Sequence, residues 1–194
     1  MGRNRAAWAT AIAIMATTLG VAAIPAEATT TTTSQATACP TGWGSLAKTR
    51  SSATSESVTN IRTGRHACFD RMVVDVPGAA TSGLGYSVRY VSRLHQDGSG
   101  HHIPVGGGAV LEVRVAAPAY DPETGKPTYP VRAGQRLAGV DLKGYRTFRD
   151  ARFAGSFEGD TQIGLGLRAR LPFRVWVATD RVVVDVAHNW TGAR

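Results

Sequence analysis

The sequence predicts an all-β protein, an antiparallel β-sandwich of short strands with one long proline-rich loop. The main observation is a phrase stated twice. Phe69-Asp70-Arg71-Met72-Val73-Val74-Asp75-Val76 returns as Thr179-Asp180-Arg181-Val182-Val183-Val184-Asp185-Val186, with six of eight positions identical. Successive side chains of an extended strand point to opposite faces. Met72, Val74 and Val76 therefore share a buried face, as do Val182, Val184 and Val186, and Arg71, Val73 and Asp75 share the other with Arg181, Val183 and Asp185. The repeat predicts either two related β-halves or two strands playing equivalent parts in facing sheets. Further short alternating runs, bounded by turn signals and without a long amphipathic helix, complete the all-β pattern.

In chain order, Arg3 and Arg5 precede an almost wholly apolar run from Ala6 to Val21, and Ala26-Glu27-Ala28 offers a small-x-small cleavage site. That grammar is a secretory signal peptide over residues 1–28. The apolar run falls short of the ~20 residues that span a bilayer comfortably, so no transmembrane span is expected after cleavage. Residues 29–38 form a Thr-rich disordered tether with nothing to bury. The folded domain is expected over 39–194, in a secreted, extracellular or envelope-associated protein.

Export places the only two cysteines, Cys39 and Cys68, in an oxidising compartment, where an even count reads as one disulfide. It ties the start of the domain to the first copy of the phrase. Strands are expected near Leu46–Lys48, at Val58–Arg62 and at Ala67–Val76. Tyr86–Val91 and Ala109–Ala116 alternate cleanly, and Asp97-Gly98-Ser99-Gly100 and Gly106-Gly107-Gly108 punctuate the chain between them. Pro118 to Pro130 holds four prolines and two tyrosines and reads as a surface loop, long enough to be mobile or functional. Strands at Thr147–Phe153, Thr161–Leu167 and Phe173–Val177 lead into the second copy, with Phe157-Glu158-Gly159-Asp160 as a turn.

The formal charge of +8 falls to +7 when residues 1–28 are removed, because they hold two arginines and one glutamate. Only Lys48, Lys126 and Lys143 are lysines; the rest of the positive charge is arginine. A basic exported protein is drawn to anionic envelope material. No run of adjacent basic residues concentrates the field, so no specific nucleic-acid partner is expected.

Enzyme motifs are absent: no Gly-x-Ser-x-Gly elbow, no His-Glu-x-x-His pair and no Gly-x-x-x-x-Gly-Lys phosphate loop. No catalytic residue, cofactor or metal site is expected. His101 and His102 are adjacent and point opposite ways on a strand, while His66 and His188 flank the two phrases and read as structural. Asp70 and Asp180 are expected to fix a turn or pair with arginine, and Asp75 and Asp185, which sit four positions after Arg71 and Arg181, to enter cross-strand Arg–Asp pairs. The candidate binding residues are Gln162, Arg174 and Trp176. Gln162, Gly164, Gly166 and Arg168 share one face, leaving bare backbone in mid-strand, and Arg174 and Trp176 share a face of the next strand. If these strands pair, a sugar ring can stack on Trp176 while Arg174 and Gln162 hydrogen-bond it. The competing reading is an aromatic that merely covers strand glycines.

Taken together, Cys39-Pro40…Trp43-Gly44, His66-x-Cys68-Phe69-Asp70-Arg71, Phe157-Glu158-Gly159-Asp160-Thr161-Gln162, Pro172-Phe173-Arg174-Val175 and Arg181-Val182-Val183-Val184-Asp185-Val186-x-His188 resemble the AMIN-like domain of exported actinobacterial proteins. The resemblance runs from about Cys39 to Trp190. It implies a β-sandwich related to the AMIN domain, which in cell-wall amidases binds peptidoglycan and directs the enzyme to the septum. It carries over no catalytic residue. The expected function is a secreted, non-enzymatic envelope protein that binds peptidoglycan or another anionic wall polymer. The alternatives are a module that recruits an envelope protein partner through a sheet edge or the proline-rich loop, and, third, a small secreted hydrolase.

Overall fold

A computed structural model describes Cys39 and residues 42–190. The expected signal peptide and Thr-rich tether lie outside the described residues. Within them the alternating runs become eleven strands: β1 (Lys48–Arg50), β2 (Asn60–Arg65), β3 (Phe69–Asp75), β4 (Tyr86–Val91), β5 (Leu94–His95), β6 (His102–Ile103), β7 (Ala109–Val115), β8 (Phe148–Phe157), β9 (Asp160–Leu167), β10 (Phe173–Ala178) and β11 (Arg181–Ala187). They form a five-stranded sheet of order β1-β4-β7-β9-β8, a four-stranded sheet of order β10-β11-β3-β2 and the small hairpin β5-β6. Neighbouring strands are antiparallel throughout. The two large sheets face each other across one apolar core, a β-sandwich.

The two copies of the phrase are β3 and β11. They lie not in separate halves or facing sheets but side by side in the four-stranded sheet, with Met72 opposite Val184, Val73 opposite Val183 and Val74 opposite Val182. A repeated strand paired antiparallel with itself puts like residues on like faces, so both valine sets reach the core together. Met72, Val74, Val76, Val182, Val184 and Val186 are fully buried. They meet Leu111, Val113, Ile163, Leu165 and Phe148 of the other sheet in the same core.

Asp70 lies on the core side of β3, and it pairs with no arginine. Its carboxylate accepts the backbone N–H groups of Thr147 (2.6 Å) and Phe148 (3.2 Å), at the start of β8 in the opposite sheet. Nε2 of buried His188 lies 3.1 Å from its other oxygen. A buried carboxylate is tolerated here because backbone donors and an imidazole satisfy it, and the result pins one end of the sandwich shut. Asp180 does fix a turn, standing at φ 63° between β10 and β11. In the β8–β9 turn Glu158 and Gly159 both have positive φ, at 49° and 86°, as a tight type I′ hairpin requires.

The stretch from β7 to β8 carries only isolated bridges, Tyr120 to Pro127 and Arg136 to Arg152. Much of it is packed rather than a surface loop: Ala117, Ala119, Tyr129 and Leu137 belong to the main core. The Tyr129 hydroxyl accepts the Ala138 N–H at 3.0 Å. Within the proline-rich segment 118–130 the exposed run is the tip, residues 122–127.

Because β3 and β11 supply the centre of one core wall, Val74→Ala and Val184→Ala should each cost about 1–3 kcal/mol through lost transfer energy and the cavity left behind. Urea midpoints measure this, with the exposed Ser55→Ala as the neutral control. Midpoints unchanged in both core variants would contradict the burial described.

Candidate functional site

The outer face of the four-stranded sheet gathers the polar and aromatic side chains that its core face excludes. Register sets two rows across it. One runs Trp176, Val183, Val73, Arg62; the next runs Arg174, Asp185, Arg71, Gly64. At the centre of the second row the Asp185 side chain has no exposed surface. Arg71 grips it with both arms, Nε to Oδ1 at 2.6 Å and Nη2 to Oδ2 at 3.0 Å. Arg174 donates Nε to Oδ2 at 2.8 Å, and the Trp176 indole N–H points at the same oxygen from 3.5 Å. Asp185 thus enters the cross-strand Arg–Asp pairing expected of it, with Arg71 of β3. Asp75 enters such a pair as well, with Arg62 of β2 and joined by Asn60, while Arg181 turns to the Thr179 carbonyl.

Aromatic rings surround this ion cluster. The Arg71 guanidinium lies 5.1 Å from the Phe69 ring centre and 5.3 Å from that of Trp176. Arg174 lies 4.5 Å from Trp43 and 5.5 Å from Phe69. Trp43 packs tilted against Phe69 at 5.7 Å, and His66 stacks on Phe69 at 4.4 Å. Cations over ring faces are held by the ring quadrupole, so each arginine is fixed by a carboxylate on one side and aromatics on the other. Trp176 is 38% exposed, so part of its ring surface is open to solvent. Trp43 reaches the sheet because the Cys39–Cys68 disulfide anchors the chain four residues before it, and because Gly44 accepts the Phe173 N–H at 2.9 Å. At the His66 end the platform opens into a cavity of about 450 Å³ lined by Arg65, His66, Arg146 and the buried Asp70–His188 pair.

Of the three residues expected to bind, Arg174 and Trp176 share this face and Gln162 does not. β9 and β10 belong to different sheets, so the pairing that would have joined them is absent. Gln162 is 2% exposed. Its side chain donates to Glu112 at 2.7 Å and to the His95 carbonyl at 3.0 Å, and it accepts the Asp97 N–H at 3.2 Å. The bare strand at Gly164 and Gly166 is covered, but by aliphatic chain and not by tryptophan. A methyl group at Gly164 would meet Leu94 at 2.4 Å, and one at Gly166 would stand 1.8 Å from the Gly106 carbonyl oxygen. Arg168, past the end of β9, turns to the His188 carbonyl.

Residues 56–188 match the family model of the AMIN-like domain. This chain belongs to the AMIN-like domain family. No curated protein and no solved structure matches it. The AMIN-like match covers β2 to β11 and begins after Cys39 and Trp43, so one tryptophan of the platform comes from outside the matched stretch. Among the described residues no group of three or more His, Cys, Asp or Glu side chains converges as a metal site would. His95 and His102 are paired across the β5–β6 hairpin. The platform residues that sequence reasoning passed over are Trp43, His66, Phe69, Arg71 and Asp185; the disulfide was the signal that could have placed Trp43 beside Phe69.

Two stability outcomes follow for this AMIN-like domain. Asp185→Asn keeps the shape but leaves two guanidinium groups without their acid. It should cost about 1–3 kcal/mol, since Arg71 and Arg174 are partly open to water. Urea denaturation reads this, and a loss smaller than that of an exposed pair such as Arg62–Asp75 would overturn it. Glu112 behaves differently. Burial pushes its pKa up, but hydrogen bonds from Arg89 and Gln162 and the charge of Arg114 outweigh burial and hold it below the ordinary 4.5. A carboxylate depressed on folding contributes stability above its ordinary pKa, and that contribution is lost as pH falls through the lower folded value. The stability gap between the native protein and Glu112→Gln should therefore be widest at neutral pH and narrow as pH drops below 4.5. A gap that widened on acidification would contradict the ion network.

Proposed function

We propose that this protein is a secreted, non-enzymatic module of the cell envelope that binds peptidoglycan through the outer face of the four-stranded sheet. The observation that carries the reading is the platform itself: Trp176, Trp43 and Phe69 interleaved with Arg71 and Arg174 around one buried carboxylate. Apolar sugar faces stack on exposed indoles, and guanidinium forks recognise carboxylates such as those of acidic sugars and peptide termini. Two arginines share Asp185, so the cluster keeps one net positive charge for such a ligand.

Membership of a family of envelope-associated domains supports the location, and the Cys39–Cys68 disulfide supports an oxidising compartment. Against a hydrolytic role stands the buried acid–imidazole pair found among the described residues, Asp70 with His188, whose carboxylate is occupied by backbone amides at the end of the sandwich. A second reading, recruitment of an envelope protein, draws support from β10, an edge strand of its sheet that Gly44 meets only at Phe173, which offers the remainder of its edge to an added strand.

Co-sedimentation with purified sacculi tests the proposal. Stacking is worth ~0.5–1.5 kcal/mol, so Trp176→Ala should weaken sedimentation about three- to tenfold while the urea midpoint shifts little. Arg174→Met should add to the loss and flatten its salt dependence. If Trp176→Ala leaves binding intact and salt alone abolishes it, the platform is not the site. If the native protein instead captures its partner from envelope protein extract and ignores sacculi, the second reading stands.

A further inference from the structure

The opposite outer face of the sandwich carries a different arrangement. On the five-stranded sheet, Gly164 and Gly166 let residues 104–108 settle directly against β9, and the surface beyond them is a groove. A cavity of about 470 Å³ there is lined by Arg93, Arg136, Arg149 and Arg152 around Asp150, with Leu94 and Val105 on its apolar floor. Asp150 is committed to the fold. Its Oδ2 accepts the Gly106 N–H at 3.0 Å and Arg152 Nε at 2.8 Å, and Oδ1 accepts the Ala151 N–H at 3.0 Å. Burial pushes its pKa up, yet the Gly106 amide and Arg152 outweigh that and hold it below the usual range, so the single acid of the groove stays charged.

Four guanidinium groups against one carboxylate leave three positive charges in excess. Among the described residues no carboxylate other than Asp150 pairs with these arginines. Arg149 is positioned by the carbonyls of Tyr145, Arg146 and Phe148 at 3.0–3.2 Å, which orient it without cancelling its charge. Arg136 stands 4.0 Å from Asp150 and is largely exposed, and Arg93 is exposed as well. A second cavity of about 530 Å³ shares Ser92, Val105 and Val110 with the first and runs past Gly107 and Gly108 to Arg170. The site is therefore an elongated basic groove.

We infer that this groove binds a phosphodiester-linked polyol, an extended chain whose repeated phosphates meet the arginines of the groove. Guanidinium forks match phosphate oxygens in pairs, and a groove basic at both ends suits a polymer better than a single ion. Nucleic acid fits poorly, because single strands are held by bases stacked on aromatic rings and the two rings lining the groove already have neighbours, Tyr90 covered by Arg170 at 4.9 Å and His102 against His95 at 5.6 Å. A bilayer fits poorly too. Surface insertion needs exposed large apolar side chains, and those of the described residues, Leu46, Phe157, Trp176 and Trp190, all lie outside the groove. The inference is independent of the peptidoglycan reading, since the two faces lie on opposite sides of the core.

The test measures binding of the full chain to fluorescent poly(glycerol phosphate), beside poly-glutamate of matched charge, a single-stranded oligonucleotide and phosphatidylglycerol vesicles. Arg93→Glu/Arg136→Glu, both at exposed positions, should weaken poly(glycerol phosphate) binding at least tenfold. Lys126→Glu/Arg132→Glu changes net charge equally on another exposed segment and should weaken it less than threefold. Trp176→Ala should leave it unchanged, which separates this site from the platform. Equal losses in the two double variants would reduce the effect to general charge. Binding of poly-glutamate, oligonucleotide or vesicles as tight as that of the polyol, lost in Arg93→Glu/Arg136→Glu to the same degree, would overturn the phosphodiester assignment.

Discussion

Asp185 is a carboxylate with no exposed surface on the outside of a sheet, and the candidate site exists because that charge has to be satisfied. An ionised carboxylate removed from water is costly unless it is paired and hydrogen-bonded. Here the pairing comes from both neighbouring strands, Arg71 of β3 and Arg174 of β10. Each guanidinium is in turn seated on aromatic rings, so the cost of holding two long side chains in one place is shared with ring contacts. The acid orders the arginines, the arginines order Trp43, Phe69 and Trp176, and the outcome is a rigid surface with charge to spare. A ligand meeting such a surface loses little to reorganisation, which is the condition for useful affinity from a small contact.

The cluster can form only if β3, β11 and β10 hold their register, and that is set by the other face of the same strands. Val74 against Val182 and Met72 against Val184 lock β3 to β11, and a slip of one residue would turn the apolar set of the slipped strand out of the core. The same slip would separate Arg71 from Asp185. Core and site thus share one constraint, read from opposite faces of the sheet. The disulfide adds the remaining piece. By closing the chain between Cys39 and Cys68 it removes about 3–4 kcal/mol of unfolded-state entropy, and it also brings Trp43 to Arg174.

Most strands were legible because a period of two residues is a local property. Tyr86–Val91 alternates in sequence and is β4 without adjustment. The disulfide was legible because an expectation of export and a count of two cysteines leave one pairing. Partnership between strands was not, since β3 and β11 lie more than a hundred residues apart and nothing local distinguishes a neighbour in the same sheet from a counterpart in the facing one. Gln162 shows the same limit at the scale of one side chain. Alternation correctly puts it on the outer face of β9 with Gly164 and Gly166, but it cannot say that residues 92–108 fold back over that face. The two-residue strands β5 and β6 are too short to show any period, and only their turn, Asp97 to Gly100, was visible.

The contrast between the two outer faces has a single cause. A strand without side chains exposes its backbone to close approach, and chain moves in to fill the space: Leu94 and Val105 pack where Gly164 has no Cβ. The five-stranded sheet therefore acquires a third layer, and its arginines are pushed to the margins of that layer, where they line a groove. The four-stranded sheet carries Arg71, Asp185, Arg174 and Trp176 at the equivalent positions, and these side chains are already neighbours of one another. Val73 and Val183 between them are buried without a covering strand. A face built this way is its own cover, and so it stays open to a ligand as a surface, whereas the glycine face offers only the channel left beside its lid. Sequence composition on alternate positions of two strands thus decides not just which side is core, but whether the other side becomes a platform or a groove.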